Sequence, residues 1–140
     1  MMNSSTSVSA ELGLSLVVPE HGAVPLVASL RYSAEDPYAI RMAFHVGTDE
    51  PVEWIFARDL LAVGLEGPAG EGDVQVWPAD EHGLEVLNIA LSSPFGEAHF
   101  EAPRSTTSAF LNRTYEVIAP GHEADFIDVD GELDDLLWRA

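Results

Sequence analysis

Hydrophobic and polar residues alternate strictly at the start of the chain. Val8, Ala10, Leu12, Leu14, Leu16 and Val18 fall on one parity, and Ser7, Ser9, Glu11, Gly13 and Ser15 on the other. A period of two sustained over this length predicts a half-buried β-strand. After a turn at Pro19–Gly22, Leu26, Ala28, Leu30 and Tyr32 predict a second strand. The segment Ser33–Pro37 interrupts it. Ile40, Met42, Phe44 and Val46 then form a third strand with Arg41 and His45 on its opposite face, and Val52, Trp54 and Phe56 form a fourth. Short turns between successive strands predict an antiparallel meander.

A short helix follows in ARDLLAVGL, with Leu60, Leu61 and Val63 as its apolar set, Asp59 in its first turn and Gly64 near its stop. Asp73–Trp77, Leu84–Leu91 and Glu97–Ala102 predict three more strands. Pro103 suits the first turn of a helix running to about Val117. Beyond Gly121 an acidic stretch leads to a last amphipathic helix with Leu133, Leu136, Leu137 and Trp138 on its apolar side. The expected fold class is α+β: antiparallel sheet, barrel-like, in which strands then helix occur twice before a C-terminal helix. Residues 1–140 make a single domain, with 1–7 as a flexible N-terminal segment.

Leu84–Leu91 departs from simple alternation. Leu87, Ile89 and Leu91 stand opposite Leu84, Val86 and Ala90, so the strand is apolar on both faces and must be covered on both.

Charge changes the list of partners. Six basic residues, all arginine, face 24 acids, for a formal net charge of −18. Nucleic-acid affinity rests on cations that neutralise phosphates, and a chain without lysine at this charge repels nucleic acid and anionic membrane alike. The absence of cysteine removes disulfides, thiolate metal sites and thiol catalysis together. The N-terminus MMNSSTSVS lacks the basic and apolar regions of a signal peptide. A cytoplasmic location is expected.

No chemistry emerges from the motifs. The loop GPAGEG, Gly67–Gly72, has glycines but is followed by Asp73 instead of the Lys and Ser/Thr of a phosphate loop, and Glu66 and Glu71 would repel phosphate. It is expected to be a strand-connecting turn. In DVDGE, Asp128–Glu132, placing Gly131 at position 6 of a calcium loop puts Phe126 and Leu137 at positions 1 and 12, where oxygen ligands are needed. Helix capping by Asp128 or Asp130 fits better. His21, His45, His82, His99 and His122 lack metal-ligand spacing, and His45 and His99 are expected in solvated or inter-subunit positions. No catalytic residue, metal or cofactor is nominated, and no enzyme is expected. Trp54, Trp77 and Trp138 are expected as core or interface anchors. The sharpest remaining features are the pairs Arg58–Asp59 and Arg41–His45, candidates for partner contact. Against that stands a structural role for the first pair, with Asp59 at a helix N-terminus and Arg58 paired to a nearby acid.

Three long segments, LRYSAEDPYAIRMAFH, EWIFARDLLAVGLEGPAGEGDVQVWP and IALSSPFGEAHFEAP, closely resemble the SsgA-like proteins of sporulating actinobacteria. The resemblance runs from about Val8 to the final helix and is weakest after Arg104. It implies a non-enzymatic protein of sporulation-specific cell division. Members mark future septum sites and recruit the tubulin-like GTPase FtsZ together with an SsgA-type paralogue. It also implies a whirly-type fold assembled as a homotrimer. A single-stranded nucleic-acid binder on that fold is the alternative, and the missing lysines argue against it.

Overall fold

A computed structural model describes residues 6–45, 51–70, 72–94 and 96–126. The strands are β1 (Ser7–Val18), β2 (Gly22–Ser33), β3 (Asp36–His45) and β4 (Val52–Ala57), then β5 (Val74–Glu81), β6 (Leu84–Ser93) and β7 (Gly96–Pro103). Helix α1 (Arg58–Gly64) separates the two sets, and α2 (Arg104–Val117) and a 3-10 turn at Glu123–Phe126 follow. The predicted order of strands then helix, twice, is therefore present. The final amphipathic helix, its caps and Trp138 lie outside the described residues, as does Val46 at the end of the third strand. β1 begins at Ser7, one residue inside the segment expected to be a flexible terminus, because Ser7 already pairs with Ser33.

All seven strands form one antiparallel sheet in the order β4-β3-β2-β1-β7-β6-β5, curled into an open half-barrel. Local hairpins build each half. The β5–β6 turn places His82 and Gly83 both at positive φ (52° and 84°), as the tight hairpin turn of primed type requires. Pro78, which cannot donate to a ladder, is tolerated because β5 is an edge strand. The halves meet at β1 and β7, which pair only through Ser15–Glu101 and Leu16–Phe100.

Alternation decides what each strand buries. Leu12, Leu14, Ala28, Leu30, Ile40, Met42, Phe44, Phe56, Leu87, Ile89 and Phe100 share the inner side and form the core. The Phe44 and Phe100 rings stack with centroids 4.3 Å apart, tying the two halves together. Helix α2 packs against β1, β6 and β7, and α1 against β3, β4 and β5. The buried stripe of α2 is Thr107, Phe110, Leu111 and Thr114. Its threonines are tolerated inside because their hydroxyls donate back to the Pro103 and Leu111 carbonyls, at 2.9 and 2.6 Å.

The glycine loop is scaffold. Ala69 and Val76 exchange two backbone hydrogen bonds, so the loop shields the outer edge of β5. Gly70 turns there at φ 94°.

Candidate partner-binding face

Among the described residues, neither helix covers the outer surface of β2, β3 and β4, where Arg31, Ile55 and His45 are exposed. The register sets its rows: Ala39 beside Ala57, then Arg31, Arg41 and Ile55, then Ser29, Ala43 and Glu53, then Val27 and His45. Two of the residues singled out from sequence, Arg41 and His45, thus share one surface. Arg41 Nη1 donates to Glu53 Oε1 at 3.4 Å, and Arg31 Nη2 donates to Glu53 Oε2 at 3.4 Å. Arg41 Nη2 also lies 3.9 Å from Asp36. His45 Nε2 is 3.0 Å from the Ser29 hydroxyl and is exposed, in line with the solvated position expected of it. Ile55 and Val27 are large exposed apolar side chains of this face. Sequence reasoning missed Arg31 and Glu53. The available signal was parity, since Arg31 sits between the inward Leu30 and Tyr32.

Arg58 is elsewhere, and its candidacy as a contact residue is corrected. Among the described residues it is the largest fully buried side chain, 1 % exposed. Its guanidinium lies between the rings of Tyr32 and Tyr115, 4.8 and 4.9 Å from their centroids. Nη1 donates to the carbonyls of Ile118 (2.8 Å) and Thr114 (3.3 Å) at the end of α2, and Nη2 donates to Glu123 Oε2 at 2.8 Å. A delocalised cation with several donors suits the exposed carbonyls of a helix C-terminus. Asp59 stays exposed in the first turn of α1, as its helix-terminus role requires. The pair is split: Arg58 is structural and only Asp59 remains at the surface.

Burial pushes the hydroxyls of Tyr32 and Tyr115 up, against the opposing pull of Arg58. The hydrogen bond from Arg58, helped by backbone donors, holds the Glu123 carboxyl below the usual carboxylate range. A carboxyl depressed on folding stabilises in full above its unfolded value, and that contribution is lost as pH falls through the folded value. Melting temperature measured from neutral to acidic pH should therefore fall more steeply for the native protein than for Glu123→Gln. Parallel curves would show that Glu123 is not the linked group.

His99 is not free in solvent. It is half-buried, with Nε2 2.7 Å from Asn88 Oδ1 and its ring 5.4 Å from that of Trp77. Trp77 is half-buried on the outer side of β5, and Trp54 packs against the core. On β6, Leu87, Ile89 and Leu91 are buried, whereas Val86 and Ala90 are half-buried and Leu84 is 69 % exposed. The second apolar face of that strand is thus only partly covered by the described residues. No group of three metal-binding side chains occurs among the described residues. None of their helices is long and apolar enough to cross a membrane.

Residues 26–123 match the family described as Streptomyces sporulation and cell division protein, SsgA. Over 133 residues the chain is 57 % identical to the sporulation-specific cell division protein SsgB of Thermobifida fusca, covering 95 % of this chain and 96 % of that one. It is 52 % identical over 136 residues to the SsgB of Streptomyces coelicolor, covering 97 % and 99 %. The crystal structure of an SsgA-like sporulation-specific cell division protein from Thermobifida fusca superposes with a TM-score of 0.85 at 56 % identity, covering 96 % of this chain and 98 % of that one. A second structure, reported with SsgB mutations that correlate to longitudinal cell division during sporulation of Streptomyces coelicolor, gives 0.83 at 50 % identity over 89 % and 100 %.

Proposed function

The chain belongs to the SsgA family of sporulation and cell division proteins, and from that premise we propose that it recruits the tubulin-like GTPase FtsZ to the future sporulation septum without itself catalysing a reaction. A role in cell division follows from relatives that are sporulation-specific cell division proteins over nearly their whole length. The finer reading is supported by the S. coelicolor relative, SsgB, whose mutations correlate to longitudinal cell division during sporulation. That is the effect expected of a protein that positions the septum. The observation that carries it on this chain is the outer face of β2–β4. Two exposed arginines stand there on a molecule of net charge −18.

FtsZ and an SsgA-type paralogue are the proposed partners, at the cytoplasmic side of the division septum. At an ordinary ionic strength of about 0.1 M, repulsion between acidic proteins is screened beyond about 10 Å, so local contacts decide binding. Arg41 and His45 are the proposed contacts, with exposed Asp59 at the neighbouring start of α1. A homotrimer is proposed as the assembled form, because the partly covered outer side of β6 needs a cover that the described chain does not supply.

Pelleting of FtsZ polymers tests the reading. The native protein should enrich in the pellet with assembled FtsZ, and Arg41→Glu should weaken that enrichment about tenfold while keeping the melting temperature, as loss of a contact of roughly 1–2 kcal/mol would. No enrichment of the native protein would sink FtsZ recruitment. In light scattering at tens of micromolar, a lone 15.1 kDa species would sink the trimer.

A further inference from the structure

Among the described residues, the arginine row on the outer face carries more cation than anion. Arg31 and Arg41 are directly opposed across β2 and β3, a placement in which like charges destabilise a sheet. Among the described residues only Glu53, one row along β4, reaches both of them, at 3.4 Å in each case. Asp36 touches Arg41 alone, at 3.9 Å. Each guanidinium carries about five N–H donors in a planar fork suited to two carboxylate oxygens. Here two such forks share one close carboxylate, and their side chains remain 59 % and 42 % exposed. The floor around them is low, since Ala39, Ala43, Ala57 and Ser29 occupy the flanking positions. Ile55, directly across from Arg41, is half exposed beside them.

We propose that Arg31 and Arg41 form a clamp for a carboxylate on a short acidic–apolar segment of a protein partner, with the adjoining apolar side chain seated on Ile55. Charge complementarity selects this occupant. The clamp offers two cations and an apolar neighbour. A polyphosphate backbone would bring many charges toward a body of net charge −18 with nothing further to neutralise them. Glu53 then acts as a built-in competitor, occupying the clamp until a partner carboxylate displaces it. The clamp rests on the proposed role of this face in meeting a division partner, and supplies the chemistry of the segment it meets.

The test uses the whole chain and three probes: a synthetic octapeptide alternating glutamate and leucine, the same peptide with glutamine, and oligothymidylate, each followed by NMR titration at low salt. The glutamate peptide is expected to shift resonances of the β2–β4 face, to weaken about tenfold in Arg31→Gln and in Arg41→Gln, and to tighten severalfold in Glu53→Gln. A merely structural Arg31–Arg41–Glu53 cluster would not tighten when Glu53 is neutralised. Equal binding of the glutamine peptide, no binding of the glutamate peptide up to millimolar concentration, unchanged affinity in the arginine variants, or tighter binding of oligothymidylate each overturns the clamp. If the glutamate peptide binds as expected and FtsZ does not co-pellet, the clamp stands and FtsZ recruitment falls. If FtsZ co-pellets and the peptide does not bind, the clamp falls alone.

Discussion

Replacing Arg58 by alanine is expected to unfold the domain at moderate temperature. The change leaves the Glu123 carboxylate buried without its cation, deprives the Thr114 and Ile118 carbonyls of a donor, and opens a gap between the Tyr32 and Tyr115 rings. Removing one partner of a buried ion pair costs about 3–5 kcal/mol. For a chain of this size that lowers the melting temperature by roughly 10–20 °C. Arg58→Glu should be worse, since it sets two carboxylates against each other. Arg58→Lys should recover only part of the loss, because a compact ammonium cannot reach the Glu123 and helix-end acceptors at once as the forked guanidinium does. Thermal and denaturant melts of the three variants check this. An Arg58→Ala protein melting within about 2 °C of the native one would show the buried network to be dispensable. Loss of partner binding in an Arg58 variant would therefore report unfolding, unlike the same loss in a folded Arg41 variant.

The second large effect is expected at Gly64. A Cβ built there meets Val76 Cγ1 at 2.5 Å and Val76 Cβ at 2.7 Å, and Val76 is itself buried in the core. In an isolated helix, alanine would stabilise by about 0.5–1 kcal/mol over glycine. Overpacking a filled core costs about 1–3 kcal/mol. Since the β-carbon of Val76 as well as its methyl is in the way, rotating the valine cannot clear the space, and the clash wins. Gly64→Ala should destabilise, and Val76→Ala alone should destabilise by leaving a cavity. The double variant removes the Cγ1 contact but keeps the Val76 β-carbon, so it should be somewhat more stable than the sum of the two losses predicts without recovering the native stability. Denaturant melts of all four proteins give the coupling. Strict additivity would mean that α1 and β5 do not meet through these two residues.

Much of the fold was legible in the sequence because its causes are local. The parity of Val8 to Val18 and of Ile40 to Phe44 depends on neighbours two residues apart, and both segments are strands with the predicted side inward. Pro103 ahead of α2 is a local signal too. What could not be read depends on partners far along the chain. Arg58 beside Asp59 suggested a surface pair, and its acceptors lie at Thr114, Ile118 and Glu123, beyond any spacing rule. The row that joins Arg31, Arg41 and Ile55 was equally hidden. Alternation gives the side on which each residue stands, and only the strand register gives its neighbours. Arg41 and His45 were found because they share a strand, and Arg31 was missed because it does not.

The narrow β1–β7 junction bears on how the molecule is made. β1 leaves the ribosome before the other six strands, yet it ends in the middle of the sheet. β2, β3 and β4 can fold onto it hairpin by hairpin as they emerge. Its other edge must wait for Phe100 and Glu101, which are synthesised after the rest of the sheet has appeared. Throughout that interval the nascent chain presents an unsatisfied strand edge, the feature that invites pairing with the wrong chain. The closure is also long in sequence, hence slow, and Thr114, Ile118 and Glu123, the acceptors of Arg58, come later still. A dense negative charge keeps neighbouring nascent chains apart during this wait. The acidity of the sequence thus protects a molecule whose central seam is the last part of the sheet to close.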